Sequence, residues 1–126
     1  MTCPNIAGIW TFYGQPTKDG QTGHGQIEMS IVQNGADLAG RLVQTIDPWT
    51  EKPPLDPDRT RGSIFGKIYL SDNDRATLIE LVRINDHNDL KAIFAGIIDP
   101  NLTEISGVVV NNRGAQGSFV MQKVAS

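Results

Sequence analysis

The segment Asn5-Ile6-Ala7-Gly8-Ile9-Trp10 opens the first strand-like run of the chain, and the rest of the sequence is organised around it. Glycine lets the backbone turn beneath a bulky ring, so that the indole of Trp10 can cover one end of an apolar core. Period-2 alternation then puts Gly8, Trp10 and Phe12 on one face of the run. We therefore expect Trp10 to be a structural residue, buried at a closed end of the fold and far from any ligand.

Seven further strand-like runs follow, and residues typical of turns separate them. Thirteen glycines and seven prolines punctuate the chain of 126 residues, and no stretch keeps a helical apolar period over three turns. The eight predicted strands cover residues 6–14, 25–33, 37–46, 62–70, 76–84, 89–99, 102–111 and 115–124.

Short links between successive antiparallel runs predict an all-β fold, a single eight-stranded antiparallel up-and-down β-barrel that spans residues 1–126 as one domain. Asn34-Gly35 is a strong signal for a tight hairpin. Closure removes both sheet edges, and glycines that fall in phase with the inward residues favour it; these are Gly40, Gly66, Gly96, Gly107 and Gly117. A two-sheet sandwich is the alternative.

The links of such a meander alternate between the two ends of the barrel. Residues 15–24, 47–61, 85–88 and 112–114 therefore share one rim, which carries the long links, whereas compact turns close the other end. Binding residues are commonly found on long loops held by a rigid scaffold, so we expect a ligand pocket at this rim. Trp49, in the proline-rich link, is a candidate lid, although it can equally pack on the outside of the barrel or on a neighbouring subunit.

The Asn5-x-x-Gly8-x-Trp10 motif at the start of the first strand resembles the Gly-x-Trp motif of lipocalins, which also opens related barrels such as avidin-like and fatty-acid-binding proteins. The spacing Gln33-x-Gly35-x-x-Leu38-x-Gly40 resembles the same superfamily, as does Ile105-Ser106-Gly107. The resemblance implies a basic residue that packs over the tryptophan, and Lys123 is placed for that role, where arginine is the family norm. No tryptophan follows Trp49, so the pocket tryptophans of avidin-like proteins are missing, which makes biotin a doubtful ligand.

Composition excludes several classes of protein. The net charge of −3 and the absence of a basic stripe argue against nucleic-acid binding. No apolar run is long enough to span a membrane, and no signal-peptide pattern opens the chain. The single cysteine, Cys3, cannot form an internal disulfide, so we expect a cytoplasmic protein. No cofactor is expected.

The predicted interior is mainly apolar, which suits a small apolar or amphipathic ligand and equally suits a filled structural or interaction barrel. The in-phase glycines and long rim links favour a cavity. The candidate ligand-binding residues face this interior or its mouth, and they are Phe12, Gln44, Trp49, Ile64, Glu80, Arg83, Phe94 and Phe119.

The fifth strand has two possible phases. One directs Leu78, Glu80 and Val82 inward, and the other directs the alternate residues, among them Arg83. Either phase leaves one charge inside, where it must pair, become neutral or meet water or a ligand. Glu80 inside an apolar cavity would fit the alternative function, a cyclase or isomerase in which this residue is the catalytic acid or base. No metal site is expected, because His24 and His87 lie in rim links beside strands two and five, which are about 14 Å apart across the sheet.

The outer face of strands four to eight is also apolar. Phe65 and Tyr69 oppose an inward apolar set on strand four, and Ile93, Ile97 and Val108 do the same on the next strands along. Contiguous apolar patches of more than a few hundred Å² are uncommon on monomers. We therefore predict a homo-oligomer that associates through this face.

Overall fold

The computed structural model describes residues 4–13, 26–46, 61–70, 77–87, 89–114 and 116–125. These form one closed antiparallel barrel with strands in sequence order, β8 pairing back onto β1, which confirms the predicted fold class. The strands are β1 Gly8–Tyr13, β2 Gln26–Asn34, β3 Asp37–Ile46, β4 Arg61–Leu70, β5 Thr77–Asn85, β6 Lys91–Ile98, β7 Glu104–Asn111 and β8 Gln116–Ala125. No helix in the described ranges is long and apolar enough to cross a bilayer.

Each predicted strand end lies within two residues of the observed one, and β3 is predicted with both ends correct. The larger differences have local causes. β1 begins at Gly8 because the preceding residues leave the sheet and cross the end of the barrel. β7 begins at Glu104 because Leu102, with a φ of 60°, belongs to a tight turn whose amides bond to Asp99.

The closed end is built as the opening segment predicts. Trp10 is fully buried, and its indole Nε1 donates a hydrogen bond to the carbonyl of Ile6 at 2.9 Å. Ile6 is itself fully buried, and its amide donates to Oε1 of Gln33 at 2.8 Å. Gln33 Nε2 in turn donates to the carbonyl of Pro4 at 2.7 Å. The segment 4–7 therefore crosses this end as a plug, and Lys123 lies opposite Trp10 in the β1–β8 register.

The middle of the barrel is filled by phenylalanine rings. Phe12 stacks on Phe119 with ring centroids 5.3 Å apart, and Phe94 meets both rings edge-on at 5.0 and 5.5 Å. A void wide enough for water would leave accessible surface on its lining, yet these three rings are at most 2% exposed. Mid-barrel is thus a packed core, and its aromatic pairs add specific geometry to the burial of apolar area.

Glycines on the inward face let neighbouring strands approach closely. A Cβ atom at Gly107 would lie 2.0 Å from the carbonyl oxygen of Ala95, and one at Gly40 would lie 2.0 Å from that of Ser30. These contacts support the prediction that the in-phase glycines serve closure. They contradict the expectation that these glycines also leave room for a ligand cavity. The space beside Gly40 and Gly107 is occupied by the adjacent strand and adds nothing to a cavity.

Candidate functional site

The rim that carries the long links lies at the end of the barrel opposite Trp10, where β1, β3, β5 and β7 end. Residues 14–25 and 47–60, which include Trp49 and His24, lie outside the described residues. The side chain of Gln44 also lies outside them, although its backbone is part of β3. The predicted roles of Trp49 and Gln44 at the rim therefore stay predictions.

The register of β5 decides which of its charges faces inward. Ile79, Leu81, Arg83 and Asn85 are buried, whereas Glu80 is exposed on the outer face, between Lys67 of β4 and Ala95 of β6. The phase that puts Glu80 inside is thus wrong. The inward phase aligns Ile79 with Ile68 and with Gly96, so that a branched side chain packs where its neighbour has none. The acid that the cyclase or isomerase hypothesis needs is not in the interior.

Arg83 is the charged side chain buried inside the described barrel. It is 4% exposed and lies between Ile64 and Ala92 on the flanking strands, one step below the rim. Its Nε donates a hydrogen bond of 2.8 Å to Oδ1 of Asn85, which is also buried. Burial disfavours the charged form and lowers the pKa of Arg83 to about 10.

The two outer nitrogens of this guanidinium have no acceptor among the described residues. A guanidinium carries five N–H donors, and the bond to Asn85 uses one of them. No carboxylate of the described chain pairs with Arg83. Buried polar groups are nearly always hydrogen-bonded, so the outer nitrogens of Arg83 are the point in the described interior where a further acceptor is expected.

Four of the predicted ligand contacts are brought together, but in a packed state. Phe12, Phe94 and Phe119 form the aromatic core, and Ile64 is 1% exposed beside Arg83. A ligand that reached the rings would have to displace them, because no water-sized space adjoins them. The described interior therefore places Arg83 and Asn85, rather than the phenylalanines, nearest to the rim.

Ion pairs lie on the outside of the described part of the rim. Arg41 binds Asp86 through both guanidinium nitrogens and also donates to Oγ of Ser63 at 2.8 Å. This hydrogen-bonded contact lowers the pKa of Asp86. Arg113 pairs with Asp89 at 2.9 Å, which ties the link after β7 to the link after β5. These pairs lie on the outer surface and leave Arg83 untouched.

No metal centre emerges from the described part of the chain, since no three His, Cys, Asp or Glu side chains in it converge. His87 is exposed beside Asp86.

Two features were missed from the sequence. Asn85 was assigned to a turn, although the inward alternation of Ile79, Leu81 and Arg83 continues to it and was the available signal. The second feature is a groove of about 410 Å³ on the outer face, lined chiefly by Tyr69, Leu78, Glu80, Ala95, Ile97 and Val108. It follows from small Ala95 standing among larger side chains, which only the strand register reveals.

The chain matches no protein-family model, and no curated protein is significantly similar to it. What is established is the closed eight-stranded antiparallel barrel, a fold compatible with the calycin type.

Proposed function

We propose that the protein binds a small amphipathic molecule at the rim of the barrel opposite Trp10, with Arg83 as its polar anchor. One observation carries the proposal: Arg83 is 4% exposed, and within the described chain only its Nε has an acceptor. An uncompensated buried charge costs several kcal/mol, which an incoming acceptor would offset. A closed barrel is a scaffold on which such rim sites are common.

The two nitrogens of Arg83 that have no acceptor among the described residues define the polar part of the ligand. Arg83 Nη1 and Nη2 form a planar fork that matches the two oxygens of a carboxylate, and Asn85 fixes the fork by accepting from Nε. The side chains around Arg83 are apolar, among them Ile64, Leu81 and Ala92. The ligand class is therefore an acid with an apolar body, small enough to lie above the phenylalanine core.

We also propose that the chain belongs to the lipocalin-like barrels. The eight-stranded meander, the buried Trp10 and the plug of residues 4–7 support a lipocalin-like barrel. The proposed ligand site is shallow, because the rings of Phe12, Phe94 and Phe119 fill the middle of the barrel.

A filled structural barrel is the second candidate, and the packed core favours it. In that case Arg83 serves only to hold Asn85 at the end of β5. The two candidates differ in whether an acid binds, and they agree on the fold.

The test compares dodecanoic acid with dodecanol, which share the apolar tail, by titration calorimetry on wild type and on Arg83→Met. We expect wild type to bind the acid at micromolar concentration and at least about tenfold more tightly than the alcohol, since a hydrogen bond to a charged group contributes about 1.5–3 kcal/mol. Arg83→Met should lose this preference. Arg41→Met, which removes a cation from the outer face, is the matched control and should keep it. Equal binding of acid and alcohol by wild type, or no binding of either, would favour the filled barrel.

A further inference from the structure

One side of the outer surface is an apolar patch that spans four strands. We define it by side chains that are 43–61% exposed, namely Phe65, Tyr69, Leu78, Ile93, Ile97, Val108 and Val110. Six of them lie in two rows across the sheet, because Phe65, Val82, Ile93 and Val110 are successive partners and so are Tyr69, Leu78 and Ile97. Val108 lies between the rows as the partner of Ala95. The patch is therefore continuous rather than a scatter of single exposed residues.

The surface across the barrel is different. β2 lies opposite β6 in a ring of eight strands, and its outer face carries Glu28 and Ser30 beside Val32. Arg41 and Asp37 continue this polar surface on β3. Among the large apolar side chains exposed on the described surface, Ile9, Val32 and Val124 lie on β1, β2 and β8, and the others lie on β4–β7. The exposed apolar surface is therefore concentrated on one side of the barrel.

Two opposite charges lie within the patch, between its rows. Lys67 and Glu80 are cross-strand partners on β4 and β5. Lys67 Nζ is 3.9 Å from Asp37 Oδ1, with both side chains more than half exposed, and Glu80 has no ion pair among the described residues. Adjacent charges of opposite sign are self-complementary, since a second copy related by a two-fold axis can present its Glu80 to this Lys67 and its Lys67 to this Glu80.

We propose that the outer face of β4–β7 is the two-fold interface of a homodimer. The seven side chains expose on the order of 600 Å², taking roughly 150–200 Å² as the full area of each, and with the small and charged residues between them the patch approaches the ~800 Å² per partner of a standard interface. The groove over Ala95 is a depression in the patch that a protruding side chain of the second copy can fill. A lipid surface fits less well, because Glu80 would be desolvated without a partner and the chain carries a net charge of −3.

This interface is independent of the rim site, since Arg83 faces the interior and the patch faces outward. Two valines provide a matched test. Val108 in the patch is 61% exposed and Val32 on the opposite side is 62% exposed, so that Val108→Glu and Val32→Glu make the same chemical change at equal exposure.

The experiment is sedimentation equilibrium at micromolar concentration. Wild type and Val32→Glu should give twice the chain mass of 13.7 kDa, whereas Val108→Glu should give the single chain mass and an unchanged circular dichroism spectrum. Glu80→Lys should also weaken the dimer at least about tenfold by facing cations with cations, and adding Lys67→Glu should restore it. A monomeric wild type would overturn the proposal, and so would a dimer that survives Val108→Glu. Wild type that is monomeric and floats with neutral lipid vesicles would assign the patch to a membrane instead.

Discussion

Replacing Gly107 by alanine should destabilise the barrel far more than the addition of one methyl group normally does. The new Cβ would lie 2.0 Å from the carbonyl oxygen of Ala95 and 2.6 Å from Cα of Gly96, both on β6. Ordinary contact begins near 3.4 Å, so β6 and β7 would have to move apart by more than 1 Å at this point. Backbone atoms cannot rotate away as a flexible side chain can, and the ladder bonds beside Gly107 would lengthen. Overpacking of a rigid site costs about 1–3 kcal/mol and occasionally more, and we expect about 3 kcal/mol here.

Gly114→Ala is the control for this experiment. Gly114 lies in a turn with a φ of 83°, and nothing lies within 4 Å of its missing Cβ, so the variant carries backbone strain of about 1 kcal/mol and no clash. Equilibrium unfolding in urea measures both variants, with the slope m expected to stay at its wild-type value. If Gly107→Ala costs no more than Gly114→Ala, then the close approach of β6 and β7 is not a feature of the folded protein and the account of closure is wrong.

Three further predictions use the same unfolding assay. Trp10→Ala should cost about 3–5 kcal/mol, because it empties a fully buried site, and Trp10→Phe should cost less but leave the carbonyl of Ile6 without its donor; unchanged urea midpoints would contradict this. Asp99 accepts hydrogen bonds from the amides of Glu104 and Thr103, which lower its pKa. Its contribution to the free energy of unfolding should therefore be complete above about pH 4 and be lost as the pH falls through the lowered pKa. Asp99→Asn should flatten this acid dependence, and parallel pH profiles of the variant and wild type would refute the prediction. Arg83→Met should raise the free energy of unfolding by about 2 kcal/mol in the absence of ligand, because it replaces a buried charge, for which the described chain supplies one acceptor, by an apolar side chain; a less stable variant would mean that Arg83 is a structural residue.

Most of the fold follows from period-2 alternation alone. In β6, Ala92, Phe94 and Gly96 alternate with four exposed residues, and the side that carries the aromatic ring is the side that is buried. The same reasoning identifies Trp10 and Phe12 in β1. It succeeds where the two faces of a strand differ in composition, because a closed barrel gives every strand one fixed inner face.

The phase of β5 could not be predicted in this way, since both of its faces are apolar and each carries one charge. Only the register with neighbouring strands separates Glu80 from Arg83, and register depends on links whose lengths the pattern does not determine. The cavity was overestimated for a similar reason. A glycine such as Gly107 is equally consistent with empty space and with a close backbone, and the sequence contains no sign of which one applies.

Glu80 and Arg83 are charged residues of β5 that depart from the apolar character of the side chains around them. Elsewhere the inner face of the described barrel is apolar or hydrogen-bonded, whereas Arg83 is buried with donors that have no acceptor among the described residues. On the outside, Glu80 is a charge among apolar side chains. Sequences that otherwise specify one structure tend to break their own rules at functional sites. Because the two residues lie three positions apart on β5, they face opposite sides of the same strand, and each requires a different partner. The proposed partner of Arg83 is an acid inside the rim, and the proposed partner of Glu80 is a cation on a second copy. Substitution of either residue leaves the surroundings of the other intact, so the two proposals can be tested separately.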